Sequence, residues 1–302
     1  VNMSETGSIR LDKISARTDI TDNNGCYNYS GATYKVYSVS SNSDIDKSKH
    51  IGTFTTNSDG VGIVTYSLYN SEDVGDVDNS SKNILGSLPF GWYMICEESG
   101  PTNGSYIIDD SKYYVCIDSS NYKEVHNVVS KEQPCADPIP FEIVKQGVDG
   151  NKVGMATLEG AQFTVYYYKG YYDSYEQILT ANIDYDRKWI FETRISQATN
   201  NATCIFHEDL LLVGSDEPYR STNGSMILPL GTIVVKETKA PEGYTLEDAK
   251  YRIINTIDGT ITPVDSPFVS KIVVDNGTVK LNVANKILVD EQVVRGDLKL
   301  IK

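Results

Sequence analysis

Apolar and polar residues alternate with a period of two over short stretches along most of this chain. Ser8 to Ile14 puts Ile9, Leu11 and Lys13 on one side, and Tyr34 to Val39 and Lys280 to Val283 repeat the pattern. Between such runs stand Asn24-Gly25, Asp59-Gly60, Asp149-Gly150, Asp258-Gly259 and Asn276-Gly277. These pairs suit tight hairpin turns, because Asn, Asp and Gly tolerate positive φ. Helical periodicity is scarce, and only Tyr175 to Ile183 reads as a short helical turn. The pattern predicts an all-β chain.

The alternating segments recur in order. Gly7 to Lys13, then Ser30-Gly-Ala-Thr-Tyr-Lys-Val-Tyr37, then Leu88-Pro-Phe-Gly-Trp-Tyr-Met-Ile-Cys-Glu97, then Val125-His-Asn127 make one series. Phe141 to Lys145, Glu159-Gly-Ala-Gln-Phe-Thr-Val-Tyr166, Leu228-Pro-Leu-Gly-Thr-Ile-Val-Val-Lys-Glu237 and Val283-Ala-Asn285 make the second. Four landmarks in the same order predict two tandem β-sandwich domains, residues 1–133 and 139–290. A stiff linker separates them, where Pro134, Pro138 and Pro140 interrupt any hydrophobic pattern. The second domain is longer through an apparent insertion at about 167–223, rich in tyrosine. Gly296 to Lys302 matches Gly7 to Lys13 in its glycine and final lysine, so 291–302 reads as a linker and the first strand of a further repeat, with Lys302 its stranded lysine.

Composition narrows the function. At 40% hydrophobic and 23% charged residues the chain is globular, and a net charge of −14 argues against nucleic acid and against anionic membrane surfaces. No apolar run is long enough to span a bilayer, so no membrane contact is expected of this fragment. Three histidines without ligand spacing give no sign of a metal, and no hydrolase motif is present. Of five cysteines, Cys96 and Cys116 fall on consecutive predicted strands, where a disulfide is open to them.

The stretch Lys236-Glu-Thr-Lys-Ala-Pro-Glu-Gly-Tyr-Thr-Leu246, preceded by Leu228-Pro-Leu-Gly231, resembles the prealbumin-like, immunoglobulin-type repeats of Gram-positive surface proteins, the SpaA-like or Cna-B class. A reduced copy, Glu97-Glu-Ser-Gly-Pro101 with Gly104-Ser-Tyr106, stands in the first domain. The resemblance implies a cell-wall pilin or adhesin stalk, exposed outside a bacterium and flanked by neighbouring repeats of its own chain. It implies an autocatalytic isopeptide bond in each domain, between a lysine on the first strand and an asparagine on the last, assisted by a glutamate. Carried over, the sets are Lys13, Glu97 and Asn127, and Lys145, Glu237 and Asn285. Glu98 could replace Glu97 in the reduced copy. Such a chain is no enzyme beyond one turnover on itself, and it needs no cofactor.

Alternation gives this chemistry a physical basis. It buries Lys13 beside Ile9 and Leu11, Lys145 beside Phe141 and Ile143, and Glu97 and Glu237 beside Ile95 and Val235, and places Asn285 with Val283 and Leu281. Burying such groups is costly unless they meet. Once met, desolvation favours a neutral amine and a neutral acid, a nucleophile and a proton donor. Fixed placement supplies effective molarities of about 10⁵ M or more, enough for one slow turnover. An alternative is a ligand-binding adhesin module, with Tyr171, Tyr172 and Tyr175 of the insertion as candidates for contact with a host-surface protein or glycan.

Overall fold

The computed structural model describes residues 5–69, 82–147, 157–246, 249–255 and 257–291. The chain divides into two compact units, Val1–Cys135 and Ala136–Lys302. Strands dominate both, and among the described residues no helix is long and apolar enough to cross a membrane. The segment expected to begin a further repeat, with Lys302, lies outside the described residues.

In the first unit the strands are β1 (Gly7–Ser15), β2 (Thr33–Val39), β3 (His50–Thr56), β4 (Gly62–Ser67), β5 (Leu85–Leu88), β6 (Gly91–Ser99), β7 (Lys112–Ile117) and β8 (Val125–Glu132). They form a three-stranded sheet, β5-β1-β8, facing a five-stranded sheet, β4-β3-β2-β6-β7. Inward residues of both interleave: Ile9, Leu11, Leu85 and Val128 meet Tyr34, Val36, Phe54 and Ile95. The first and last strands are neighbours and run parallel, with Lys13 opposite Ser130 and Arg10 opposite Asn127. A turn before β4 supports the middle of β1, since the Lys13 N–H donates to the Gly60 carbonyl at 2.7 Å.

The second unit repeats this plan with additions. Its strands are β9 (Ala136–Asp137), β10 (Glu142–Gly147), β11 (Gln162–Tyr168), β12 (Arg187–Glu192), β13 (Arg194–Ile195), β14 (Ala202–Ile205), β15 (Tyr219–Arg220) and β16 (Met226–Pro229). There follow β17 (Gly231–Lys239), β18 (Lys250–Ile254), β19 (Ile261–Val264), β20 (Phe268–Asp275), β21 (Thr278–Leu281) and β22 (Lys286–Glu291). A six-stranded sheet, β13-β14-β10-β22-β18-β19, and a five-stranded sheet, β12-β11-β17-β20-β21, carry the core, and β15-β16-β9 form a small third sheet. Again the first long strand and the last, β10 and β22, are parallel neighbours, with Lys145 opposite Val289.

The expected insertion is part of the sandwich. β12 pairs with β11 as β3 pairs with β2, and its inward residues Trp189 and Phe191 are fully buried together with Tyr219. Phe206 stacks on Phe141 of the β10 approach with ring centroids 4.7 Å apart. The expected helical turn forms α1 (Tyr175–Thr180), capped by Ser174, whose side chain accepts from the Gln177 N–H. Cys96, Cys116 and Cys204 are free. Cys96 lies opposite Lys112 and Cys116 opposite Trp92, four positions apart on the β6–β7 ladder and so out of reach of a disulfide.

Candidate functional site

In the first unit, strand parity sends Lys13 into the core beside Ile9 and Leu11, and its side chain has no exposed surface. Its Nζ donates to Glu97 Oε1 at 2.9 Å and stands 3.0 Å from Glu132 Oε1; both carboxylate side chains are equally buried. Glu97 comes from β6, directly opposite Tyr34, and its other oxygen accepts from the Asp109 backbone N–H at 2.6 Å. Lys13 Nζ also donates to the Tyr34 hydroxyl at 3.0 Å, and that hydroxyl lies 2.9 Å from both Ser130 Oγ and Glu132 Oε1. The Ser130 hydroxyl donates to Glu132 Oε1. Burial raises the Glu97 carboxyl above the ordinary glutamate range, although the Asp109 N–H and Lys13 pull the other way.

The second unit builds the same cluster. Lys145 Nζ donates to Glu237 Oε2 at 2.6 Å and stands 2.9 Å from Glu291 Oε1, and all three side chains are essentially buried. The positions around it are drier. Phe163, opposite Glu237, takes the place that Tyr34 holds opposite Glu97, and Val289, opposite Lys145, takes that of Ser130. Lys145 Nζ lies 5.5 Å from the Phe163 ring centre. Apart from Lys145 Nζ and each other, Glu237 Oε1 and both Glu291 oxygens meet no hydrogen-bonding partner, against only Oε2 of Glu132 in the first cluster. Burial pushes the Glu237 carboxyl up to about 8; the Lys145 charge opposes the shift, while a hydrogen bond with Glu291 and that residue's charge add to it.

The structure therefore brings Lys13 to Glu97 and Lys145 to Glu237, and it separates both lysines from the expected asparagines. Asn127 is exposed and sits three register positions before the residue opposite Lys13, about 10 Å along the strand. Its parity is that of Val129 and Lys131, which point outward, whereas Val128, Ser130 and Glu132 point inward. Asn285 is exposed too and precedes β22; its carbonyl accepts from the Glu142 N–H, at the far end of β10 from Lys145. The run Leu281 to Asn285 is not one strand, because β21 ends at Leu281 and β22 starts at Lys286. Glu98, the alternative to Glu97, faces the other side of β6 and pairs with Lys47 at 2.6 Å.

Glu132 and Glu291 were absent from the expected sets. Each stands two residues beyond the position opposite its lysine. The sequence signal was a second small repeat, Lys131-Glu-Gln133 and Asp290-Glu-Gln292, closing an inward series in both halves. Of the candidate ligand-binding tyrosines, Tyr171 is exposed, whereas Tyr172 and Tyr175 are half-buried against Tyr168, Ile178 and Val234. A groove of about 710 Å³ beside α1 is lined by Tyr175, Leu179, Pro267 and Phe268.

No protein-family model matches the chain, and no curated protein does. Solved structures do. The chain is similar over 96% of its length to the Bacillus anthracis TIE protein, at 17% identity and a TM-score of 0.43, and it spans 34% of that chain. It is similar over 96% to a C-terminal fragment of the pilus adhesin SpaC from Lactobacillus rhamnosus GG, all of which it covers, at 13% identity and a TM-score of 0.38. Over 97% it is similar to the major pilin protein T-13 of Streptococcus pyogenes, again covering that whole chain, at 12% identity and a TM-score of 0.35.

Proposed function

We propose that this chain is a structural spacer of a bacterial cell-surface pilus-like or adhesin protein, in which each unit ties its first strand to its last by an isopeptide bond from the buried lysine. One observation carries the reading: in both units a lysine on the first long strand reaches a carboxyl group on the parallel last strand, with a second glutamate against it. An ordinary soluble sandwich has no need of so costly a core at the same place twice. The placement suits a chain under tension, because load enters each unit by its first strand and leaves by its last. Neighbouring repeats of the same chain are its expected partners, and the bond forms in a single turnover without another enzyme.

Pulling the chain by its two ends tests this. A tied unit lengthens only by residues outside the loop that its lysine closes. Extension of both units to their full contour length would remove the tie.

A further inference from the structure

The geometry points to Glu132 and Glu291 as the acyl partners of Lys13 and Lys145, joined by condensation with loss of water, with Glu97 and Glu237 relaying the proton. This takes the tie proposed above as given and names its chemistry.

Both clusters put a lysine nitrogen within 3.0 Å of a carboxyl oxygen on the neighbouring strand, at the same register offset, with every participating side chain shut away from solvent. Neither asparagine is in reach, since Asn127 and Asn285 are exposed and displaced along the strands; of the two carboxyl groups that each amine touches, only that of Glu132 or Glu291 lies on the last strand. Left unjoined, each cluster is unstable on its own terms. Two carboxylates around one ammonium leave a negative charge in an apolar core. One added proton on the assisting glutamate balances the charge, which burial favours at Glu97 and Glu237.

The step then balances without any other reactant. Lysine Nζ gives one proton to the cluster and attacks Cδ of Glu132 or Glu291, forming the C–N bond. The assisting glutamate passes its proton to the departing oxygen and recovers one from the nitrogen. The C–O bond breaks, water leaves, and a neutral amide remains beside a protonated glutamate. Nothing is oxidised or reduced. Exclusion of water from the site keeps the amide from being hydrolysed back.

The intact mass of the full chain, expressed alone and shown to be folded by circular dichroism, reads the outcome directly. The expected loss is two waters, with digestion yielding a Lys13 peptide joined to a Glu132 peptide and a Lys145 peptide joined to a Glu291 peptide. Glu237→Gln and Lys145→Met should each restore one water while the first unit keeps its bond. Glu291→Gln keeps the shape of the side chain but changes the leaving group, so the second unit should lose ammonia instead. Asn127→Ala should leave the two-water loss untouched. Loss of two ammonias, with Lys13 joined to Asn127 and Lys145 to Asn285, would overturn these acyl partners and leave the tie itself standing. A folded chain at its uncorrected mass would sink the acyl partners and the tie together.

Discussion

Two adjacent glutamates on β6 show how much one step along a strand decides. Glu97 meets a buried lysine, while Glu98 meets Lys47 at the surface. Glu97→Ala leaves Lys13 buried without its assisting partner and should cost the first unit about 3–5 kcal/mol in denaturant unfolding. Glu98→Ala removes a surface pair worth about 1 kcal/mol at most. Equal losses would show that the two environments are not distinct. In the second unit the proton on Glu237 matters. Its carboxyl is raised to about 8, above that of an unfolded glutamate, so the folded state binds the proton more tightly. Before cross-linking, its contribution to stability is complete below the ordinary glutamate range and fades as pH rises through about 8. The relay fades with it. Refolded at a series of pH values and sampled by mass, the second unit should therefore form its bond more slowly as pH passes about 8. A rate that climbs steadily across that range would contradict the role given to Glu237.

Among the elements, the parallel pairs β1–β8 and β10–β22 set the position of everything at the two sites. The turn at Gly60 helps to hold β1 in place. Its φ is +82°, and a Cβ there would fall 2.1 Å from the Lys13 carbonyl oxygen, a backbone atom that cannot step aside. Gly60→Ala should thus destabilise the first unit by about 1–3 kcal/mol and lower its midpoint in urea. An unchanged midpoint would mean that β1 does not depend on this turn. Most of this level was legible beforehand. The lysines and assisting glutamates sit on strands with clean alternation beside large apolar residues, and Leu-Pro-x-Gly marks the entry to β6 and β17 in both halves. The last strands were harder. Ser130 and Glu132 occupy inward positions that hydrophobicity alone would assign to apolar residues, so the nearest asparagine looked like the terminus of the pattern. The segment holding β12 reads as an insertion because the stretch between landmarks, Tyr166 to Leu228, is longer than Tyr37 to Leu88 in the first half. Its counterpart β3 has Phe54 where β12 carries Phe191 but Gly52 where β12 carries Trp189, so the equivalence shows more in pairing than in residue type.

For the molecule as a whole, each bond would close a loop embracing almost all of one unit. On a chain-entropy view borrowed from disulfides, that is worth about 4–5 kcal/mol per unit. Lys145→Met should accordingly lower the thermal midpoint of the second unit alone, and calorimetry should then separate two transitions. A single transition shifted as one would show that the units do not unfold independently. The parallel course of β1 and β8 has a mechanical corollary. Force drawn from the start of β1 and the end of β8 pulls two neighbouring strands in opposite directions along their length. The hydrogen bonds between them are then loaded in shear, all together, and cannot be unzipped one at a time from an end. The eight paired positions from Ser8–Val125 to Ser15–Glu132 would have to fail at once. Even a variant with no covalent bond should yield at a higher force when pulled by its ends than when pulled across β3 and β4, whose antiparallel hairpin peels open rung by rung.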